Sequence, residues 1–281
     1  NNASLDVRIV KKLLREFKEQ NVGVTLEGGG EPTKHKNFSE IVHYAGEIDL
    51  DIGLITNGTT DIGELVEHFK WIRISVDATN SEEYKYEKKV DHFKDVIENI
   101  KKINSMRKIS ETLFGVGYVI TKNNDNHLLH FIELLDKLGV DYIYMRPVEE
   151  VPDSLPNFER LYKLHKYFIN NEEQFRIKVI LRLKKRFIKN NANLPCIAHS
   201  LTCVIRADGN VVLCEKRRHD IKIFGNLNES SFEDIWRSKT REEASKQLLN
   251  SESQRGCDVC RITYFNQIFY SLGELKTINF I

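Results

Sequence analysis

Along this chain, short apolar runs alternate with longer stretches in which apolar residues return every three or four positions. The short runs, rich in Val, Ile and Thr and closed by glycine, asparagine or proline, predict strands; the periodic stretches predict amphipathic helices. The first helix runs from Ser4, its N-cap, to about Gln20, with Ile9, Val10, Leu13, Leu14 and Phe17 on one face. A strand at Val22–Leu26 follows, then a helix over Phe38–Glu47, a strand ending at Thr56, a short helix at Ile62–His68 and a strand at Trp71–Val76. One long helix over Ser81–Lys102 carries Phe93, Val96, Ile97 and Ile100 on a common face, and a strand spans Leu113–Ile120. A helix over Asn126–Leu138, stopped by Gly139, leads to a strand at Tyr142–Met145 that reaches Arg146 and Pro147. Beyond a loop at Glu149–Pro156, the pattern predicts a helix over Phe158–Ile169 with Leu161, Leu164, His165 and Phe168 inward. A strand-like run at Arg176–Leu183 closes the series.

Strands that alternate with helices of this length imply parallel β-α units. The expected fold class is therefore α/β, a partial TIM-like (β/α) barrel over residues 1–193 with a small C-terminal hairpin-and-helix domain over 194–281. Such a barrel binds ligands at the carboxyl ends of its strands. The candidate residues follow strands in this way. After Val22–Leu26 come Gly28, Gly29 and Gly30, then Glu31 and Pro32. Consecutive glycines leave main-chain N–H and C=O groups open to a ligand, Glu31 supplies an acceptor for a cationic group, and Pro32 fixes the exit. A tight strand-to-helix turn is the other reading of the same residues. Asn57, Ser75, Asp77 and Arg146 also sit at strand ends. Asp77 could equally cap the following helix, and Ser75 could be a satisfied strand-end hydroxyl.

The C-terminal region carries a second pattern. Asp208-Gly209-Asn210 between apolar runs predicts a hairpin, with Cys196 before it and Cys214 after it. A segment from Phe224 to Ser238, helical in its later part, then leads on to Cys257-Asp258-Val259-Cys260. A Cys-x-x-Cys pair directs two thiolates at one metal or cluster, and the two hairpin cysteines can complete four. Spacing alone does not separate zinc from iron–sulfur. Cys203 reads as a small buried hydrophobe, with substitution for Cys196 as the alternative.

Composition narrows the classes. All five cysteines of the 281-residue chain fall between Cys196 and Cys260, which favours a local metal or cluster site over a scattered disulfide framework. Lysine and arginine number 42 against 41 acids, so the net charge of +1 gives no case for nucleic acid or an anionic membrane. On that balance Lys184-Lys185-Arg186 is a solvated cluster. No run approaches the roughly 20 apolar residues of a membrane span, and Asn1–Ser4 carries no signal-peptide pattern, so a cytoplasmic location is expected.

In order and spacing, Gly28-Gly29-Gly30-Glu31-Pro32, Thr56-Asn57-Gly58 and Ser75-Val76-Asp77 resemble the Gly-Gly-Glu-Pro, Thr-Asn-Gly and Ser-x-Asp motifs of the radical SAM enzymes. The resemblance implies that Gly29, Gly30 and Glu31 hold the amino group of S-adenosylmethionine, with Asn57 at the neighbouring strand end. It places Ser75 and Asp77 near the ribose, and Arg146 suits the methionine carboxylate. The cysteine spacing, with Gly225-Asn226-Leu227 and the Ser231–Trp236 helix between, is similar to the SPASM/twitch extension of that family. It implies that Cys196, Cys214, Cys257 and Cys260 hold one auxiliary [4Fe–4S] cluster. The family's Cys-x-x-x-Cys-x-x-Cys motif does not occur in this sequence, whose first helix is expected to be the one that follows that loop. The SAM-cleaving [4Fe–4S] cluster would need that segment, and the chain alone is expected to be inactive.

For the intact protein, the resemblance implies a radical SAM oxidoreductase. A 5′-deoxyadenosyl radical would abstract hydrogen from a sugar, aminocyclitol or peptide substrate, with electrons from a flavodoxin- or ferredoxin-type reductant. No side chain is assigned as a catalytic base; Glu149, Glu150 and Arg146 lie near the barrel mouth in sequence. Two alternatives remain: a SAM-binding barrel without catalysis, and a zinc-stabilised structural or interaction protein.

Overall fold

A computed structural model describes residues 3–109, 111–148, 151–183, 196–214 and 223–248, with 265, 266, 268 and 269. By its contacts the chain divides into two compact units, Val10–Leu183 and a second that groups Lys184–Ile281 with Asn1–Ile9. The expected division at 193/194 falls in 184–195, outside the described residues.

The larger unit is built on six strands, β1 Val24–Leu26, β2 Ile52–Thr56, β3 Phe69–Ser75, β4 Leu113–Ile120, β5 Tyr142–Pro147 and β6 Lys178–Leu181. They lie in chain order in one sheet, and each pairs in parallel with the next. Helices α1 Val7–Glu19, α2 Phe38–Glu47, α3 Ser81–Lys88, α4 Phe93–Met106, α5 Leu128–Lys137 and α6 Phe158–Asn170 fall before and between them. This is the α/β fold with barrel-like β-α repeats that the alternating pattern predicts.

One face of the sheet forms the core. Ile72, Ile74, Phe114, Val116, Ile143 and Met145 alternate along β3, β4 and β5 and are completely buried, as are Val96, Ile100, Phe131 and Leu135 on the helices. Phe131 of α5 lies 5.8 Å from the Tyr118 ring of β4 and 6.5 Å from Phe93 of α4, so aromatic contacts join sheet and helices. The buried Tyr118 hydroxyl donates to the Asn124 carbonyl at 2.9 Å, and burial pushes its ionisation far upward.

Several elements differ from the pattern-based expectation. The carboxylate of Asp6, rather than Ser4, accepts the Arg8 amide at 2.8 Å, the position of an N-cap for a helix starting at Val7. The single helix over Ser81–Lys102 is two, α3 and α4, because Lys89 takes a left-handed φ of 61° and ends the first. The apolar phase also breaks there, since Tyr84 is the buried residue of α3 while α4 buries Val96, Asn99, Ile100 and Ile103. The short helix before β3 is a 3-10 turn over Gly63–His68, and Phe69 belongs to the strand. In α6 Leu161 and Phe168 are buried, whereas Leu164 and His165 remain half-exposed. The run from Arg176 pairs only from Lys178 to Leu181.

In the second unit β7 Val204–Ile205, β8 Asn210–Val212 and β9 Gly225–Asn226 form a three-stranded antiparallel sheet. The hairpin turns where expected: Gly209 adopts φ +87° and its amide donates to the Arg206 carbonyl at 2.9 Å. Helix α7 Phe232–Trp236 starts at Ser231, whose hydroxyl accepts the Asp234 amide at 3.1 Å, and α8 Lys239–Leu248 follows. Among the described residues no helix is long and apolar enough to cross a membrane.

At the amino ends of β4 and β5, Arg107 is an internal strut with a side chain 1% exposed. It donates at 2.9 Å to Asn104 Oδ1 and to the Thr112 and Gly139 carbonyls, and as a fork to both oxygens of Asp141. Asp141 also accepts the Phe114 amide at 2.7 Å. Removing one partner of such a buried pair strands the other, so Arg107→Ala is expected to lower the unfolding free energy by about 3–5 kcal/mol. Urea titration of the two proteins reads this directly, and a loss below about 1 kcal/mol would refute the role as a strut.

Candidate functional site

In a parallel sheet all carboxyl ends lie along one edge, so the segments after β1, β2 and β3 are neighbours, and the one after β5 lies on the same edge beyond β4. The residues predicted there are all on that edge, but in two different conditions. The glycines stand open, whereas Glu31, Asn57 and Asp77 are engaged by the fold.

Gly28, Gly29 and Gly30 follow β1 and are exposed, and a Cβ added at Gly29 or Gly30 would meet nothing within 4 Å. Their backbone is an open ledge. Glu31, by contrast, is fully engaged: Oε1 accepts Thr56 Oγ1 at 2.6 Å, Thr33 Oγ1 at 2.8 Å and the Thr33 amide at 3.2 Å, and Oε2 accepts the Asn57 amide at 2.8 Å. The carboxylate thus ties the glycine loop to the end of β2. Asn57 is committed as well, its Oδ1 accepting from the Thr59 amide at 2.9 Å and the Thr59 hydroxyl at 2.8 Å. Gly58 takes φ +74°, and a Cβ there would come within 2.6 Å of Ile74, so glycine is required after Asn57.

Ser75 ends β3 half-buried, and Arg146 lies half-buried near the end of β5. Asp77 does not cap α3; Asn80 does, accepting the Glu83 amide at 3.0 Å. Asp77 instead sits in the left-handed region at φ +56°, with Oδ1 accepting the Val119 amide at 2.6 Å and Oδ2 accepting from the Lys88 ammonium. Its carbonyl accepts from Asn124 Nδ2 at 2.9 Å. Lys88 and Asn124 are supporting residues that sequence reasoning did not single out, and the hydroxyl of the motif residue Thr56 is a third support. Asn124 is completely buried and also donates to the Val119 carbonyl at 3.0 Å, yet it sits in a polar run where no spacing marks it. Chemically, this edge carries exposed main-chain groups at Gly29 and Gly30, a hydroxyl at Ser75 and a guanidinium at Arg146, group types that the amino acid and ribose groups of S-adenosylmethionine call for.

In the second unit, Cys196 and Cys214 are half-buried; Cys257 and Cys260 lie outside the described residues, as do Glu149 and Glu150. The Cys196 amide donates to the Leu248 carbonyl at 3.2 Å, and its carbonyl hydrogen-bonds His199 Nδ1. Burial holds that imidazole below its ordinary range, against the bond to Cys196 and with some help from Arg241. Cys203 is half-buried too, and desolvation pushes its thiol up to about 11 although the nearby Arg241 opposes the shift. Arg241 is held over the Trp236 ring at 3.5 Å and donates to the Trp236 carbonyl at 3.2 Å.

A parallel α/β sheet with an open glycine loop at its carboxyl edge, and a small antiparallel unit bearing thiols, define the class as a barrel-like α/β protein with a small C-terminal domain. A model of the Radical SAM superfamily matches residues 1–135, and one of the SPASM iron–sulfur cluster-binding domain matches residues 196–261. Together the two matches support a radical SAM plus SPASM architecture for the chain. It is 26% identical over 260 residues to a probable GTP 3′,8-cyclase of Saccharolobus islandicus, across 87% of this chain and 80% of the relative. It is 23% identical over 283 residues to mycofactocin maturase MftC of Mycolicibacterium smegmatis, across 91% of this chain and 68% of the relative. The crystal structure of Streptococcus suis SuiB superposes with a TM-score of 0.66 at 14% identity, over 96% of this chain and 69% of that one. Native anSMEcpe with bound AdoMet gives 0.64 at 15% identity, over 96% and 88%. These two structures share the fold. The named relatives are enzymes, and the two matched families together imply S-adenosylmethionine and iron–sulfur as cofactors.

Two outcomes test the local geometry. Asp77→Ala removes two charge-assisted contacts and places alanine at positive φ, and should cost roughly 2–3 kcal/mol in urea unfolding. Asp77→Asn keeps an acceptor for the Val119 amide in a residue that tolerates that conformation, and should cost about half as much; equal losses would refute the assignment. For Cys203, the rate of iodoacetamide alkylation followed by peptide mass spectrometry should rise with an apparent pKa near 11, and a midpoint close to the ordinary thiol value would contradict its burial.

Proposed function

We propose that the protein is a radical SAM oxidoreductase that binds S-adenosylmethionine along the carboxyl edge of its six-stranded sheet. In this reading the carbonyl groups of Gly29 and Gly30 receive the methionine ammonium, Ser75 meets the ribose, and Arg146 receives the methionine carboxylate. Glu31, Asn57 and Asp77 act as positioning residues that hold the three loops in place. The observation that carries the reading is the open Gly29–Gly30 backbone beside a Glu31 carboxylate already saturated by Thr33, Thr56 and Asn57. A saturated carboxylate fixes the ledge and leaves its backbone to do the binding.

Cys196, Cys214, Cys257 and Cys260 would hold one auxiliary [4Fe–4S] cluster as thiolates. Cys203, kept protonated by burial, is a poor ligand by comparison. Bound S-adenosylmethionine, with an iron–sulfur electron donor, supplies hydrogen-abstracting radical chemistry, while the chain supplies position and shielding. A peptide substrate is supported by the likeness in fold to SuiB, solved with its precursor peptide SuiA. A nucleotide is the second reading, favoured by the 26% identity to probable GTP 3′,8-cyclases.

Anaerobic reconstitution of this chain, with iron and acid-labile sulfide counted per chain, tests the cluster. About four irons and four sulfides are expected, with both lost in Cys257→Ala. One zinc without sulfide would overturn the redox reading. Equilibrium dialysis with S-adenosylmethionine tests the ledge: Gly30→Val should weaken binding at least about tenfold, and unchanged affinity would overturn it.

A further inference from the structure

The face of the sheet opposite the helix-packed core carries a second, unassigned set of residues. On β3 the side chains of Trp71, Arg73 and Ser75 alternate with buried Ile72 and Ile74; on β5 Tyr142, Tyr144 and Arg146 alternate with buried Ile143 and Met145. Glycines clear space between them. A Cβ at Gly53 would lie 2.1 Å from the Trp71 ring, and one at Gly115 would lie 2.2 Å from the Tyr142 ring, so both rings lie across strands that have no side chain there. At Gly117 the nearest atom is Arg73 Cδ at 3.4 Å, which lets the Arg73 stem cross β4 toward β5.

Arg73 ends with its guanidinium 5.5 Å from the centre of the Tyr144 ring and 5.8 Å from that of Trp71. From the other side, Arg182, just past β6, places its guanidinium 5.6 Å from the same Tyr144 ring. Two cations therefore flank one phenol ring. Elsewhere in this unit Arg107 is paired with Asp141, and Arg160 with Asp125. Arg73 and Arg182 have no carboxylate partner among the described residues; their recorded contacts are with aromatic rings. A guanidinium packed on a ring keeps its N–H donors at the edge, oriented and unspent.

We propose that this ring-backed pair, Arg73 and Arg182 on either side of Tyr144, is a subsite for an anionic group of the substrate, a carboxylate or a phosphate. The proposal rests on the reading above in taking this face as the substrate side of a radical SAM enzyme. It adds a charge requirement: the substrate carries an anion set apart from its reacting carbon. Trp71 reports on the subsite, because an anion at Arg73 changes the surroundings of the indole beside it.

The test uses the full chain with Trp236→Phe, which leaves Trp71 as its one indole. Tryptophan fluorescence is titrated at low salt with tripolyphosphate and, separately, with triglutamate. A saturable change with at least one probe is expected, and Arg182→Gln and Arg73→Gln should each weaken it at least about tenfold. Stronger response to tripolyphosphate identifies a phosphate-bearing substrate; stronger response to triglutamate identifies a carboxylate-bearing one. Arg182 is exposed, so Arg182→Gln decides the matter if Arg73→Gln fails to fold. No saturable response to either probe, or an equal response in the parent and Arg182→Gln, overturns the subsite. S-adenosylmethionine binding is measured on the same proteins and should stay within about twofold in both variants. Loss of that binding in the parent would overturn the cofactor reading and leave the anion result to stand or fall by itself.

Discussion

A parallel sheet leaves the amides just beyond each strand's carboxyl end without ladder partners, and this edge depends on two carboxylates that supply them. Glu31 accepts the Asn57 amide across from β1 to β2, and Asp77 accepts the Val119 amide across from β3 to β4. Each also binds a second kind of donor, the Thr56 and Thr33 hydroxyls for Glu31 and the Lys88 ammonium for Asp77. Charge-assisted bonds of this sort are shorter and stronger than neutral ones, so loops that would otherwise fluctuate are held at fixed spacing. The glycine loop is tied in this way to the end of β2, and the segment after Ser75 to β4.

This division of labour changes the meaning of the motifs. A glutamate beside glycines invites the inference that its carboxylate meets the ligand's ammonium. Here its oxygens already accept four bonds from the protein, and what remains available is backbone. A side chain at Gly29 or Gly30 would stand in the open space over that backbone. The acid is needed one step back, to keep that ledge from moving.

Most of the sheet was legible because β-branched runs and loop glycines mark strands strongly, and the β4 range Leu113–Ile120 agrees at both ends. The break between α3 and α4 was not, since Lys89 is an ordinary helix former and only its left-handed conformation ends the first helix. Motif residues at the edge were legible by type and order. Their roles were less so, because Asn80 rather than Asp77 caps α3, a choice made by backbone geometry that no spacing encodes. Asn124 and Lys88 were invisible for the same reason: their partners lie 47 and 11 residues away. The inner-face arginines were missed because period-two alternation was used to find strands and not to ask what the second face carries.

That second face also explains an apparent conflict in the charge. A net charge of +1 over 42 bases and 41 acids suggests no electrostatic preference at all. Yet screening confines exposed charges to about 8–10 Å, so a ligand responds to the local set and not to the sum. Arg107 and Arg160 are neutralised where they stand, by Asp141 and Asp125. Arg73 and Arg182 are set instead against rings, which attract a cation through the quadrupole without cancelling its charge. Each guanidinium thus lies within about 6 Å of the Tyr144 ring with its charge uncancelled. A neutral total is therefore compatible with a locally cationic surface.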